Sequence, residues 1–395
     1  MTENNKGVVV LLEDEEPIRK GFTDMFTDLG LNTNIDLHLC TTPEEYSDFL
    51  ADDSNRARLR AIIMDLSNTP EEQGASDKNV NTFAAAIFIK DEYKRNRIPI
   101  FVHSSKLQYF NELDDRGTVW KVEKTADSIS FVCERIRVLS ETDFLNIFRF
   151  GGKLESKIMD EIHTAFTNQF EKNEIEEIIQ SITKAGGDKI PERVAEVFER
   201  IAIRSVYENW VSTREAGGEL VEKKFNAFEH YYRRTSDYKI WTGDIFESSE
   251  DKNMVVILTP RCNVGHGNYD ELLLCRVIEL EGQRLDEITN PKKGEDKLRK
   301  HITDDVTLSG ERFRFLPRTP QFRGGVVDYK TMFTLKNEDF QSEYVLRLIS
   351  LSDELTNDVV RKMSSYLLRG GISETEFTEA HNYVMNANEK IGFDN

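Results

Sequence analysis

The chain has 395 residues and carries 71 acidic against 52 basic side chains, a formal net charge of −19. Its length allows two or three domains with separate cores, and 38% hydrophobic residues are typical of a folded rather than a disordered protein. The acidic excess, which residues 1–140 and 141–395 share, counts against nucleic-acid binding, so we expect no nucleic-acid partner.

The amino-terminal stretch and the hydropathy pattern bear on localisation. The sequence "MTENNKGVVV" has no basic segment followed by a long apolar one, and no window approaches the roughly 18 apolar residues of a membrane helix. We therefore expect a cytoplasmic protein with no membrane partner. Without a CxxC pair, the four cysteines are expected to be free thiols: Cys40, Cys133, Cys262 and Cys275.

Residues 1–140 alternate short apolar runs with amphipathic stretches, which predicts an α/β domain of the flavodoxin-like (βα)5 class. Predicted strands cover residues 8–12, 34–39, 61–64, 98–102 and 119–122. Predicted helices cover residues 16–30, 42–53, 81–96, 107–117 and 127–140. The chain should then continue as a helical linker or bundle over 141–235, because apolar residues recur there at helical spacing.

Residues 236–395 have the composition of a β-rich domain with closing helices. Apolar runs separated by turn residues predict strands in "MVVILTP", "ELLLCRVIEL", "FRFLP", "GGVVDYKTMFTL" and "EYVLRLISL". Two helices should follow, in "SDELTNDVVRKMSSYLLRGG" and "SETEFTEAHNYVMNANEKI". We expect an SH3-like barrel or a half-barrel. The stretch "LTPRCNVGHGNYDELLLC" faintly resembles small SH3-like barrels of the PemK toxin class, and this resemblance carries over no catalytic residue.

Polar residues follow the predicted strands of the first domain at the point where each strand ends. Glu13 and Asp14 follow the first strand, Asp65 the third, Ser104 the fourth and Lys124 the fifth. Parallel strands bring their carboxyl ends to one edge, so these side chains should share a pocket. The acidic run could hold a cation or serve as a helix start, where acids suit the helix dipole.

The predicted pocket has a coherent chemistry. The carboxylates could bind Mg²⁺, which prefers carboxylate oxygens, and Asp65 could attack a phosphoryl group to form an acyl phosphate. Lys124 would offset charge on the phosphoryl oxygens, while the Ser104 hydroxyl donates to one of them. This phosphorylation chemistry is the only catalysis for which the sequence offers a complete set of residues.

Residues 7–140 resemble a response-regulator receiver domain of bacterial two-component signalling, through "LLEDEEPIRKGF", "AIIMDLS", "IPIFVHSS" and "EKT" in that order. The resemblance implies a flavodoxin-like fold, a phosphoacceptor at Asp65, and Mg²⁺ held by Glu13, Asp14, Asp65 and the Ser67 carbonyl. It also implies a histidine kinase as partner. The sequence departs from the family in its long acidic segment after Asp65, and in Lys121, where the family often has an aromatic residue.

Three functions follow from these features. The first is a response regulator that signals through protein contacts or acts as a phosphate sink. Its layout resembles receiver proteins of Detocs-type antiviral defence phosphorelays. We further expect an effector protein as partner and a homodimer. The second is an effector enzyme, a nuclease or hydrolase, gated by the receiver. The third is a scaffold that is not phosphorylated.

Two clusters in the carboxyl-terminal part are candidate sites. Cys262, His266 and Cys275 could supply metal ligands or a nucleophile and base, although a cysteine on an apolar strand is usually a core residue. The arginines of "RFRFLPRTPQFR" could grip a phosphate, but in so acidic a chain we expect them to pair with neighbouring carboxylates.

Overall fold

The computed structural model describes residues 6–69, 72, 77–95, 97–171, 173–214, 220–222, 226–235, 237–279, 312–368, 378 and 381. The chain divides into two compact units, Met1–Glu222 and Lys223–Asn395. The domain boundaries predicted near residues 140 and 235 divide the chain more finely than these two units do, and they stay predictions.

The first unit is built on a five-stranded parallel sheet. Its strands run β1 Gly7–Leu12, β2 Ile35–Cys40, β3 Leu59–Met64, β4 Ile100–His103 and β5 Val119–Val122. Their order in the sheet is β2-β1-β3-β4-β5, and every pair is parallel. This is the flavodoxin-like strand order. The chain first adds β2 on one side of β1 and then adds β3, β4 and β5 on the other side, so the topological switch point lies between β1 and β3. All five strand predictions are confirmed.

Helices cover both faces of this sheet. They are α1 Glu16–Asp28, α2 Pro43–Ala51, α3 Asp53–Arg58, α4 Ala84–Arg95 and α5 Ser128–Glu141. The alternate side chains of β1 enter two different cores: Val8, Val10 and Leu12 pack with α2 and α4, and Val9 and Leu11 pack with α1 and α5. Burial on both faces explains why β1 is an uninterrupted apolar run, whereas the edge strands β2 and β5 include polar residues.

The helix predicted over residues 107–117 is absent. Only a 3₁₀ turn, Leu107–Tyr109, forms there, and the following backbone is bound by side chains from elsewhere in the unit. Lys121 Nζ donates to the Phe110 carbonyl at 2.6 Å, and Asn81 Nδ2 donates to the Tyr109 carbonyl at 3.2 Å. With Phe110 buried and these carbonyls taken, the segment is held by tertiary contacts instead of helical hydrogen bonds.

Three helices follow, as the prediction of a helical region requires: α6 Lys153–Gln169, α7 Glu174–Lys184 and α8 Ile190–Val211. The rings of Phe166, Phe170 and Phe198 form an aromatic cluster between α6 and α8, with centroids 5.3 to 6.3 Å apart. Among the described helices, none combines the length and the apolar character needed to cross a membrane.

The second unit contains a seven-stranded antiparallel sheet that forms a half-barrel. Its strands are β8 Tyr231–Tyr232, β9 Asp244–Glu247, β10 Met254–Ile257, β11 Glu271–Ile278, β12 Phe313–Leu316, β13 Gly325–Lys336 and β14 Leu346–Leu351, and the hairpin β6 Ser212–Arg214 with β7 Leu220–Glu222 precedes it in the chain. Their order is β12-β13-β11-β10-β9-β14-β8. Register shifts in β11 and β14 interrupt the ladders and bend the sheet.

The five strands predicted here are confirmed, and the structure adds β8 and β9. Among the described residues, the helices of this unit include α9 Arg261–His266, α10 Asn337–Glu343 and α11 Asp353–Leu367. Leu355 and Val359 of α11 pack on one face of the sheet, while Phe340, at the centre of α10, packs on the other. The last predicted helix, in "SETEFTEAHNYVMNANEKI", lies outside the described residues except for residues 378 and 381.

The buried carboxylate of Asp244 is the polar centre of this sheet. Its oxygens accept hydrogen bonds from Ser350 Oγ at 2.7 Å and from the Trp241 backbone at 2.8 Å. Arg347 Nε lies 3.2 Å and Arg234 Nε 3.5 Å from the same group. Burial raises the pKa of Asp244, while these donors and cations oppose the rise. The carboxylate therefore holds two arginines that come from distant parts of the chain.

We expect Asp244→Ala to lower the free energy of unfolding by about 3–5 kcal/mol, because it leaves two half-buried guanidinium groups without their counter-charge. The exposed Asp270 provides the matched control, and Asp270→Ala should stay within about 0.5 kcal/mol of wild type. Urea unfolding monitored by tryptophan fluorescence measures both. Equal stabilities of the two variants would contradict this role for Asp244.

Candidate functional site

The parallel sheet places four of the predicted polar residues at its carboxyl edge: Glu13, Asp65, Ser104 and Lys124. The backbone ladder extends one residue beyond the strands: Glu13 N donates to the Cys40 carbonyl, Asp65 N to the Leu12 carbonyl and Ser104 N to the Val122 carbonyl, at 3.0 to 3.2 Å. Glu13, Asp65 and Ser104 are buried. The sheet itself thus fixes where these side chains begin.

Lys124 is the centre of the site. Its ammonium lies 2.8 Å from Asp65 Oδ2, 2.9 Å from Glu13 Oε2 and 3.1 Å from Glu15 Oε1. Burial disfavours its charge, but Asp65 and Glu13 outweigh that effect, so the pKa of Lys124 lies above its usual value. A permanently charged lysine therefore joins three carboxylates that come from two strand ends.

The carboxylates of Glu13, Glu15 and Asp65 form a cluster whose ligand oxygens lie within 4.8 Å of one another. The predicted set named Asp14 instead of Glu15. Asp14 is half-buried beside the cluster, and its carbonyl accepts a hydrogen bond from Arg19 at 2.6 Å. Glu15 could have been suspected as the third acid of "EDEE", but its direction depends on how the chain enters α1.

The charge balance of this cluster fits a divalent cation. Burial is the main reason that the pKa of Glu13 rises to about 7, and the neighbouring Asp65 charge adds to the rise, while Lys124 opposes it. One ammonium faces three carboxylates, so negative charge is in excess. Hard cations such as Mg²⁺ prefer carboxylate oxygens, and Glu13, Glu15 and Asp65 supply them within one small space.

The immediate neighbours of Asp65 hold its carboxyl group in place. The Leu66 backbone N–H donates to Oδ1 at 2.6 Å, and Asn68 Nδ2 donates to the Asp65 carbonyl at 2.6 Å. The Ser104 hydroxyl accepts a hydrogen bond from the Lys106 backbone at 3.3 Å. Ser67 is buried one residue beyond Leu66. The Leu66 N–H thus holds Oδ1 of the Asp65 carboxylate, and Lys124 holds Oδ2.

Part of the long acidic segment after Asp65 lies outside the described residues, but Glu72 is described. Its carboxylate accepts hydrogen bonds from the Asn68 backbone at 2.9 Å and from the Ala84 backbone, at the start of α4, at 3.1 Å. Lys106 Nζ donates to the Glu72 carbonyl at 3.0 Å. The segment is thus tied both to the loop after Asp65 and to the first turn of α4.

The cysteine and histidine candidates of the second unit are not brought together as a metal site. Within the described part of the chain, the one group of three or more potential metal-binding side chains is that of Glu13, Glu15 and Asp65. Cys275 is buried on β11, where its thiol contacts the Asp328 carbonyl at 3.1 Å, whereas Cys262 and His266 are exposed on α9. Burial raises the pKa of Cys275 to about 12, as for a core thiol.

The arginine-rich stretch behaves largely as expected. Arg312 makes two hydrogen bonds to the Asp328 carboxylate at 2.7 and 2.6 Å, and Arg314 pairs with Asp358 at 2.6 Å. Arg323 lies 2.8 Å from Glu247 and 3.1 Å from Glu279. These three arginines are paired with carboxylates.

The chain has matches among solved structures. No family model and no curated protein matches the chain. Solved structures with some likeness include the response regulator RPA3017 of R. palustris (16% identity, 34% of this chain and 90% of that one, TM-score 0.22). They also include the RcsB response regulator of Salmonella typhimurium (13%, 51% and 93%, 0.25) and MazE-MazF from Deinococcus radiodurans (15%, 34% and 100%, 0.22). At TM-scores this low the likenesses carry no argument. The five-stranded parallel sheet and its acidic cluster fit a receiver fold.

Removing Lys124 should expose the repulsion among the three carboxylates. We expect Lys124→Met to lose about 2–4 kcal/mol of stability in EDTA, and excess Mg²⁺ to raise its melting temperature more than that of wild type, because the ammonium competes with the cation for the same oxygens. Thermal unfolding with and without Mg²⁺ measures this. The matched control is Lys90→Met, which breaks the surface pair with Glu112 (3.0 Å) and should show no extra response. Equal Mg²⁺ shifts in both variants would count against a cation at the cluster.

The buried His103 predicts a pH dependence. Burial, and secondarily the Lys124 charge, lower its pKa to about 4 although Asp65 and Glu15 oppose the shift; Nε2 lies 2.8 Å from Ser128 Oγ. Because the unfolded chain takes up this proton near pH 6.5, stability should fall as the pH falls from 6.5 towards 4.

Comparison of a variant with wild type isolates the contribution of His103. The Glu13 carboxyl affects stability in the opposite sense, but it does so in both proteins, so its effect cancels in the difference. Between pH 7 and pH 5, His103→Gln should lose about 2 kcal/mol less stability than wild type, in urea unfolding at each pH. The exposed His163 gives the control His163→Gln, which should keep the wild-type slope. An unchanged slope in His103→Gln would refute the assignment.

Proposed function

We propose that the first unit is a receiver domain that accepts a phosphoryl group on Asp65 from a histidine kinase. The observation that carries this proposal is the contact of Lys124 Nζ with Asp65 Oδ2 at 2.8 Å, at the carboxyl edge of a parallel sheet. Such edges are where doubly wound sheets bind their ligands. An oriented carboxylate next to a fixed cation is what an aspartyl phosphate requires.

The reaction uses residues that are already in place. A carboxylate oxygen of Asp65 attacks the phosphorus of the kinase's phosphohistidine, the new O–P bond forms, and the N–P bond breaks with its electron pair going to the imidazole. Lys124 then neutralises charge on the phosphoryl oxygens. The Ser104 hydroxyl, at the end of the neighbouring strand β4, donates to one of these oxygens.

Mg²⁺ is the proposed cofactor, held by Asp65 with Glu13 and either Asp14 or Glu15, and by the Ser67 carbonyl. When bound, it neutralises negative charge that develops on the transferred group and on the carboxylates. Asp14 remains a candidate because it adjoins the cluster, and Glu15 because its carboxylate is part of it. Lys124 supplies the remaining positive charge.

The proposed output acts through protein contacts. Ser104 begins the segment that reaches Lys121, and Lys121 Nζ holds this segment by its 2.6 Å hydrogen bond to the Phe110 carbonyl. A hydroxyl that turns towards a phosphoryl group would pull on the backbone that Lys121 anchors. The kinase, an effector protein and a second copy of the chain are the proposed partners. The phosphate-sink role and the Detocs-type relay remain predictions from the sequence.

Intact-mass analysis after incubation with Mg²⁺ and acetyl phosphate tests the proposal. Wild type should gain the mass of one phosphoryl group, and Asp65→Asn should gain none, because the nucleophilic carboxylate is lost. Asp114→Asn, at an exposed aspartate paired with Arg116, is the matched control and should behave as wild type. EDTA should abolish the gain. Equal gain in Asp65→Asn, or no gain with acetyl phosphate and with candidate kinases, would overturn the proposal.

A further inference from the structure

The second unit contains a cleft that the proposed receiver chemistry does not use. Two cavities, of about 660 and 410 Å³, share Arg234, Leu346 and Arg347 in their walls. Together they are called here the arginine cleft. Each lies within the size range of small-molecule sites. The shared wall includes the two arginines that the buried Asp244 holds.

The lining of the arginine cleft is basic in a strongly acidic protein. The described residues that line it include Arg233, Arg234, Lys239, Arg323 and Arg347, and no Asp or Glu is among them. A concave surface lined by one sign of charge concentrates counter-ions of the opposite sign. In a chain of net charge −19 this is the reverse of the general surface.

Not all of these charges are equally available. Arg323 is balanced by Glu247 and Glu279, and Asp244 offsets one charge of the Arg234 and Arg347 pair. Arg233 and Lys239 are exposed. The cleft therefore keeps a positive excess that anionic groups would neutralise.

The arginines of the shared wall are held in fixed orientations. Arg347 donates to the Tyr238 carbonyl at 2.7 Å and the Thr235 carbonyl at 3.3 Å. The Arg234 guanidinium lies between two rings, 4.8 Å from the centroid of Tyr232 and 4.6 Å from that of Tyr238. A guanidinium carries five N–H donors, so both retain donors for a ligand. Fixed orientation lowers the entropic cost of binding an anion.

The larger cavity also offers an aromatic surface. Tyr238 is 54% exposed although one face of its ring is covered by Arg234, and Tyr269 is half-buried in the same wall. An exposed ring next to cations suits a ligand that combines a planar ring with phosphate groups. Stacking of a base on such a ring contributes about 1–3 kcal/mol.

We propose that the arginine cleft binds a free nucleotide, with its base on Tyr238 and its phosphates on Lys239 and the arginines. Two features favour a small ligand over a nucleic-acid strand. The cavities are the size of one small molecule, and the acidic surface of the chain would repel a polyanion that extended beyond the cleft. This proposal is independent of phosphorylation at Asp65.

Isothermal titration of the full chain with each of four nucleoside 5′-diphosphates tests the proposal, with pyrophosphate and a short single-stranded oligonucleotide as further probes. At least one nucleotide should bind saturably. Tyr238→Ala should weaken nucleotide binding about tenfold and pyrophosphate binding clearly less, because both lose the ring that orients Arg234 but only the nucleotide loses a stacking partner. Tyr238→Phe should restore it.

A second variant tests the proposed contact between Lys239 and the phosphates. Lys239→Gln should weaken both the nucleotide and pyrophosphate, whereas Lys330→Gln, at an exposed lysine of β13, should change neither. The proposal is overturned if no nucleotide binds, if Tyr238→Ala and Lys239→Gln bind like the Lys330→Gln control, or if only the oligonucleotide binds.

Discussion

The site at the edge of the parallel sheet depends on the balance between Lys124 and three carboxylates. One ammonium within 3.1 Å of Asp65, Glu13 and Glu15 makes it possible for a folded chain to keep these acids together. Without a cation the acids would repel one another or take up protons, since burial already raises the pKa of Glu13 and the neighbouring Asp65 charge adds to the rise. The same negative excess suits a divalent cation, whose charge would offset it.

The second unit has a similar buried charge cluster in which the signs of the charges are reversed. Asp244 is a single buried carboxylate, and Arg234 and Arg347 lie on either side of it. In the first unit an excess of negative charge surrounds one cation; in the second an excess of positive charge surrounds one anion. Each arrangement anchors elements distant in the chain, and each leaves a polar surface whose charge is only partly compensated. That remaining charge is what makes both places candidates for ligands of opposite kinds.

The regularity of the fold could be predicted where the sequence pattern reflects the environment of a whole element. A strand buried on both faces is apolar throughout, as β1 is, and the other four strands keep enough apolar residues to be predicted as well. The segment 107–117 has a helical pattern, but Lys121 and Asn81 bind its carbonyls and prevent a helix. Strand β9, "DIFE", was not predicted because its first and last residues are acidic. Both are buried in the structure, where pairing with arginines offsets the cost of burying their charges.

The sequence by itself determined which residues end the parallel strands, and therefore that Glu13, Asp65, Ser104 and Lys124 lie at one edge, because parallel strands converge there whatever their surroundings. Only the tertiary structure decided that Glu15, rather than Asp14, turns its carboxylate to the lysine, since neighbouring residues in one acidic run differ in direction and not in chemistry. The arginine cleft was likewise beyond the sequence. Its walls come from residues 233–235, 238–240, 246, 264–269, 321–323 and 341–349, and no local pattern records which distant segments a folded sheet will bring together.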